Sequence, residues 1–327
     1  MKNAQNAPKV KGKKTVFITG STGRLGRRLV EGLLLHGYTV KALAEKQSFL
    51  MDMPSGIVPY VGDIGDRRIL KEASEGADIA IHLAAIVSEY KAYTDKLMEV
   101  NVKGTENVID ACISNGVGRI IFSSTIDVYG RKRSGALTES VAPKPSDKYG
   151  YSKMIAEERI MDHKGQLSPT IFRMAAIYGP GFESAYFKVF RAIQAGKAAI
   201  IGDGLNRIAV LHVNDCVNAF MLAVENEKAS GSIYNVSDGK PYTQKMLFDM
   251  AAEMLHAEKP NRHVGELVAR FVAKSRDIDS DEFRFITSDR DVDISRIRNE
   301  LGFEPKVSIK QGMLELINMF VNMKDGR

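Results

Sequence analysis

The apolar positions of this chain form short continuous runs, separated by longer stretches with helical spacing. Val16-Phe17-Ile18 is the first run, and it leads into a glycine-bearing turn from Thr19 to Gly26. Beyond it, Leu29, Val30, Leu33 and Leu34 recur at the spacing of one helix face. The alternation continues. Residues 38–43 read as a second strand, 58–61 as a third ending at Gly62-Asp63, 66–75 as a helix and 78–83 as a fourth strand. Residues 95–115 have helical spacing, 119–123 are a fifth strand, 131–147 a polar proline-bearing loop, 148–163 a helix and 170–174 a further strand. Buried runs joined by helices predict a parallel sheet covered on both faces.

The rhythm breaks after Tyr178-Gly179-Pro180-Gly181. Helices are expected over 184–196, 214–225 and near 243–255, with a turn at Gly202-Asp203-Gly204 and a short strand at 210–213. Residues 233–236 and 260–324 read mostly as capping material. The expected fold is α/β: a doubly wound parallel sheet over 15–180, with returning segments at about 205–237. A smaller C-terminal substrate-binding lobe is drawn from 181–204 and 238–327, and 1–14 is a basic flexible tail.

The strand, glycine turn and helix at the start form a Rossmann-type dinucleotide unit. Gly20 permits the sharp turn, Gly23 lets the backbone approach a pyrophosphate, and Gly26 lets helix and strand pack closely. Phosphates then meet the free N–H groups of the helix N-terminus. Thr22, Arg24 and Leu25 of the same turn are cofactor-binding candidates.

Composition changes this picture little. A chain of 327 residues, 44% hydrophobic, builds a substantial core. The net charge of +6 owes much to Lys2, Lys9, Lys11, Lys13 and Lys14, and the remainder mixes both signs, so no nucleic-acid footprint is expected. Cys112 and Cys216 lie in apolar stretches and read as core thiols, and the six histidines have no metal-ligand spacing. No metal is expected. With neither a signal-peptide segment nor a membrane-length apolar run, a soluble cytoplasmic protein is expected.

Tyr149 and Lys153 stand four residues apart at the start of a helix and share one face. A tyrosine near its ordinary pKa of about 10 is a poor base. A nearby ammonium favours the phenolate, which can then exchange a proton as carbonyl and alcohol interconvert. Lys153 can also bind the nicotinamide ribose. The spacing alone also describes an ordinary surface pair. Its place after the fifth strand favours the catalytic reading, because open parallel sheets bind ligands beyond their strand C-termini. That strand ends in Ser123-Ser124-Thr125, where Ser124 or Thr125 can donate to a substrate oxygen.

These motifs resemble the extended short-chain dehydrogenase/reductase superfamily, in its branch of NAD(P)-dependent epimerases, dehydratases and 3β-hydroxysteroid-dehydrogenase-like enzymes. The likeness covers nearly the whole chain after the tail. Thr19 to Gly26 matches TGxxGxxG, and Gly62-Asp63-Ile64 the segment whose aspartate meets adenine. His82-Leu83-Ala84-Ala85 matches the HLAA loop, Asn101 to Thr105 the NVxGT helix, and Tyr149 to Lys153 YGxSK. Val128-Tyr129-Gly130, Ile177 to Pro180 and His212 to Asp215 match three further segments. The resemblance implies Tyr149 as acid/base, Lys153 as its partner and Thr125 as the catalytic hydroxyl, with Ser124 its competitor. It implies cofactor contacts from Asp63, Ile64, Leu83, Ala84, Ala85, Asn101, Ser123 and Ile177, substrate contacts from Ser88 and Arg207, and a homodimer.

The implied activity is hydride transfer between a nicotinamide and a secondary alcohol or carbonyl on a small molecule. Nucleotide-sugar epimerisation and non-catalytic cofactor binding are the alternatives. Ala176 stands where epimerases carry an asparagine that holds the nucleotide diphosphate, which weakens a sugar-nucleotide substrate. Ile126 occupies the acidic position a 4,6-dehydratase needs. Arg207 matches a diphosphate-binding arginine but also reads as an interlobe ion pair. The cofactor is NAD or NADP. The ribose-binding acid of the second strand aligns near Ala44, with Glu45 next, while Lys41, Lys46 and Arg24 can meet a 2′-phosphate. This reading favours NADP.

Overall fold

The computed structural model describes residues 14–87, 94–275 and 286–324. In chain order, β1 (Thr15–Thr19), α1 (Arg24–Leu35), β2 (Thr39–Ala44), β3 (Val58–Val61), α2 (Arg67–Ser74) and β4 (Ile79–His82) make the first half of the sheet and its cover. A short helix, α3 (Thr94–Met98), runs through a π-helical segment, Glu99–Gly104, into α4 (Thr105–Ser114). Then come β5 (Arg119–Thr125), a 3-10 turn (Ile126–Tyr129), β6 (Lys132–Leu137), α5 (Lys148–Asp162), β7 (Ser168–Met174) and β8 (Ala176–Tyr178). The second half holds α6 (Ser184–Gln194), β9 (Ile200–Ile201), β10 (Arg207–Ile208), β11 (Val210–His212), α7 (Val213–Glu225) and β12 (Ser232–Val236). It continues with β13 (Tyr242–Thr243), α8 (Gln244–Met254), β14 (His263–Val264), α9 (Glu266–Ser275), β15 (Asp289–Val292) and the helices Ser295–Leu301 and Ile309–Lys324.

Seven strands form one sheet in the order β12-β7-β5-β4-β1-β2-β3, and all its pairings are parallel. The order reverses between β1 and β4, which opens a crevice at their C-terminal ends. Alternation across β1 explains the two buried faces. Val16 and Ile18 join one apolar cluster with α1 and α7, whereas Phe17 joins the other, with α2, α4 and α5. This is the doubly wound sheet expected from the sequence. Small two-stranded sheets and a third cluster, centred on Phe187, Phe190, Leu316 and Phe320, build the C-terminal lobe.

One segment differs from expectation: the 131–147 region contains β6, which pairs in parallel with β15. Residues 232–236, within the segments expected to return to the sheet although 233–236 read as capping material, are its edge strand, beside β7. Cys112 and Cys216 are both buried, and burial pushes the Cys112 thiol up to about 12. No helix among the described residues is long and apolar enough to cross a membrane.

Candidate functional site

The glycine turn between β1 and α1 is built on close backbone approach. Gly20 has φ +68°, and a Cβ there would lie 2.7 Å from Ala84 N. A Cβ at Gly26 would lie 2.1 Å from Gly20 O, so only glycine lets α1 begin directly behind the turn. The N-cap of α1 is Gly23, with no side-chain cap and no acid in the first turn. Its N–H groups are therefore available to an anion.

A cavity of about 770 Å³ lies beside this turn. Of the expected cofactor residues, Gly20, Thr22, Gly23, Asp63, Ile64, Leu83, Ala84 and Ala85 line it. Glu45 and Phe49 complete the wall next to β2. Lys41 instead donates to Glu75 O and lies 5.5 Å from the Tyr60 ring centre, while Lys46 faces Phe49 at 5.8 Å. Arg24 reaches across to Gly181 O at 3.5 Å and lies over the Phe182 ring. Leu25 and Ile177 are half-buried and pack against the core. The turn, the uncapped helix and the adjoining acid fit a dinucleotide.

The π-helical segment positions Asn101. Its Oδ1 accepts from Ile86 N at 2.8 Å, and its Nδ2 donates to Ile86 O at 2.9 Å and to Ser152 Oγ at 3.0 Å. One amide thereby joins the loop after β4 to α5. His82 anchors the same loop from below. Thr105 gives its hydroxyl proton to Asn101 O at 2.7 Å, so it accepts from His82 Nε2 at 2.9 Å. His82 Nδ1 then accepts from Thr19 Oγ1 at 2.6 Å. Burial, aided by the Lys153 charge, pulls His82 down to about 3 and keeps the ring neutral.

Asp147 caps α5, accepting from Gly150 N at 2.7 Å. Tyr149 stands half-buried in the first turn. A Cβ on Gly150 would lie 2.6 Å from Asp127 O, so α5 seats directly on the 3-10 turn after β5. Lys153, 2% exposed, lies with Nζ 4.0 Å from the Phe122 ring centre. Burial lowers its pKa to about 7, against the opposing charge of Glu157.

The β5 end carries the three hydroxyls. Ser123 is half-buried, beside Phe172 of β7. Ser124 is buried and donates to Glu157 Oε1. Thr125 Oγ1 accepts from Asp127 N and donates to Asp127 Oδ2, each at 3.1 Å. Beneath them, Arg173 contacts Glu157 through Nε at 3.1 Å and Nη2 at 2.7 Å, and Arg173 Nη1 donates to Tyr129 OH at 2.9 Å. Tyr129 OH in turn donates to Asn235 Oδ1 at 2.8 Å. Sequence reasoning missed this network, although Glu157 repeats the four-residue step from Tyr149 to Lys153.

Arg207 is engaged by β15. It pairs with Asp289 at 2.8 Å and Asp291 at 3.2 Å. Ser88 lies outside the described residues.

The comparisons agree with this architecture. The chain is 28% identical over 352 residues to the 3beta-hydroxysteroid-dehydrogenase/decarboxylase isoform 2 of Arabidopsis thaliana, a match covering 94% of this chain but only 62% of that longer protein. It is 27% identical to the UDP-glucose 4-epimerase of Vibrio cholerae, over 94% of this chain and 96% of that protein. Among solved structures, the UDP-glucose 4-epimerase of Thermotoga maritima with UDP-glucose superposes with a TM-score of 0.78 at 23% identity, covering 95% of this chain and 99% of that one. The model of the NAD dependent epimerase/dehydratase family matches residues 16–237, and with its glycine turn, uncapped α1 and parallel sheet the chain belongs to that family.

Proposed function

We propose that this chain binds NAD and interconverts a secondary alcohol and a carbonyl on a small or medium organic molecule. The observation that carries the reading is the buried Lys153 on α5, one turn from Tyr149 and lying over the Phe122 ring of β5. The α1 N-terminus would hold the pyrophosphate and Asp63 the adenine. Glu45, on the cavity wall, would accept from the ribose hydroxyls, which turns the cofactor choice from NADP toward NAD. Bound NAD supplies the hydride acceptor.

The protein's own residues would handle the proton and the oxygen. Tyr149 takes the carbinol proton, and the Lys153 ammonium favours the phenolate that does so. Thr125 would hold the substrate oxygen through its hydroxyl, exchanging its 3.1 Å bond to Asp127 Oδ2 for that contact. Ser124 is the weaker candidate, being the more deeply buried of the two and bonded to Glu157. Arg207 faces two carboxylates and Ala176 has no side-chain amide, so neither offers the ready donor that a nucleotide diphosphate needs.

Epimerisation of a nucleotide-sugar is the second reading. It is favoured by the family's name and by several 4-epimerases among the similar proteins, the two named above included. It uses the same proton transfer, with the carbonyl reduced again in place. One assay separates the two. Alcohols and carbonyls are screened for stoichiometric change in nicotinamide absorbance, and nucleotide-sugars for isomer exchange without added coenzyme. Exchange without net absorbance change replaces the first reading by the second.

A further inference from the structure

We infer that Arg290 is a positioning residue: through Asp127 it fixes the Thr125 hydroxyl, and β15 thereby ties the catalytic turn to the C-terminal lobe. The inference rests on the role given to Thr125 above.

The argument begins with the alternation of one short strand. In Asp289-Arg290-Asp291-Val292 successive side chains point to opposite faces. Asp289 and Asp291 grip Arg207 of β10. Arg290 is directed the other way, into the protein, where it is 5% exposed. Its Nη1 donates to Asp127 Oδ1 at 2.7 Å, and its Nη2 donates to Ser288 Oγ at 2.9 Å. The second oxygen of Asp127 accepts the Thr125 hydroxyl at 3.1 Å.

A guanidinium fixes a carboxylate's plane as well as its charge, because its donors form a rigid fork. With one oxygen of Asp127 so held, the other has a defined direction, and so has the Thr125 proton. Backbone pairing reinforces the arrangement. β15 pairs with β6, which follows the 3-10 turn almost at once, and Asn206 Nδ2 donates to Ile286 O and Ser288 O at 2.9 Å each. Arg207 and Asp127 are therefore held by opposite faces of the same strand. Arg290 is itself only partly satisfied: its buried Nε has no partner among the described residues.

The test uses the full chain with threonine methyl labels. The Thr125 methyl signal is assigned by its loss in Thr125→Ser, and NADH affinity is measured in parallel. In Arg290→Met the Thr125 methyl should shift and broaden, while the Thr19 and Thr105 methyls and the NADH affinity hold. Arg290→Lys, which keeps the charge without the fork, should restore the signal in part. On a turned-over substrate, Arg290→Met should lower kcat about 10- to 100-fold, with KM changed less than about threefold. In a Thr125→Ala background it should cost nothing further. Asp127→Asn should reproduce the methyl change if Arg290→Met folds poorly. An unmoved Thr125 methyl in folded Arg290→Met and Asp127→Asn overturns the inference, as do additive kcat losses. A wild type that turns over no substrate removes the function proposed above, while the methyl signal still decides the role of Arg290.

Discussion

Replacing Glu157 by alanine tests whether the polar network beneath the β5 hydroxyls supports the site. The carboxylate meets Arg173 at distances down to 2.7 Å, and the two side chains are only 5% and 4% exposed. Burial opposes the Arg173 charge, and the Glu157 carboxylate more than offsets it, so the guanidinium is held above its ordinary value. Removing the carboxylate leaves a buried cation uncompensated and also strands the Ser124 hydroxyl. Breaking such a pair from one side costs about 3–5 kcal/mol. At about 2–4 °C per kcal/mol, the melting temperature should fall by roughly 6–20 °C. Far-UV circular dichroism of the cofactor-free protein reads this directly. The double variant Glu157→Met/Arg173→Met removes both charges and fills the space, so it should recover most of the loss. A Glu157→Ala loss under about 1 kcal/mol, or a double variant no better than the single one, would refute the reasoning.

Other expectations follow from the same geometry. Gly23→Ala places a Cβ 3.2 Å from Gly20 O and should fold normally but lose at least tenfold in NAD affinity by calorimetry, whereas Gly26→Ala, with a 2.1 Å contact, should lower the melting temperature too. His82 titrates near 3 when folded, against about 6.5 when unfolded. Its contribution is therefore complete above pH 6.5 and is lost as pH falls toward 3, with a slope of about 1.4 kcal/mol per pH unit. His82→Gln should flatten the acid limb of urea-unfolding stability by that amount, and an unchanged slope would contradict the assignment. Glu45→Ala should weaken NAD binding and leave NADP binding unchanged or improved; equal losses for both cofactors would remove Glu45 from the ribose site.

Much of the first half was legible because each element announced itself locally. β1, the glycine turn and α1 follow one another without a break, and β2 was displaced by a single residue. β6 was hidden because Lys-Arg-Ser-Gly-Ala-Leu has no strand pattern and pairs with β15, far along the chain. The short Ser-Ile-Tyr-Asn-Val run looked like capping material because nothing local says that it joins β7. Tyr149 and Lys153 share a helix face by their spacing, and their place after the fifth strand singles them out. Glu157 with Arg173, and Asp127 with Arg290, could not, since each pair joins separate elements whose approach depends on the finished fold.

The edge position of β12 has a consequence for how the chain is made. β7 leaves the ribosome with one side of its backbone unpaired, and its partner follows about 60 residues later. At 5–20 residues per second, that edge stays open for roughly 3–12 s during synthesis. The strand concerned carries Ile171 and Phe172, a composition that invites pairing with other nascent chains. A fragment cut after the glycine-rich segment near residue 180 would keep this edge permanently. The nucleotide-binding half is thus not a detachable module. Shuffling or truncating the gene within residues 180–236 should therefore leave the β7 edge exposed and promote aggregation, whatever becomes of the active site.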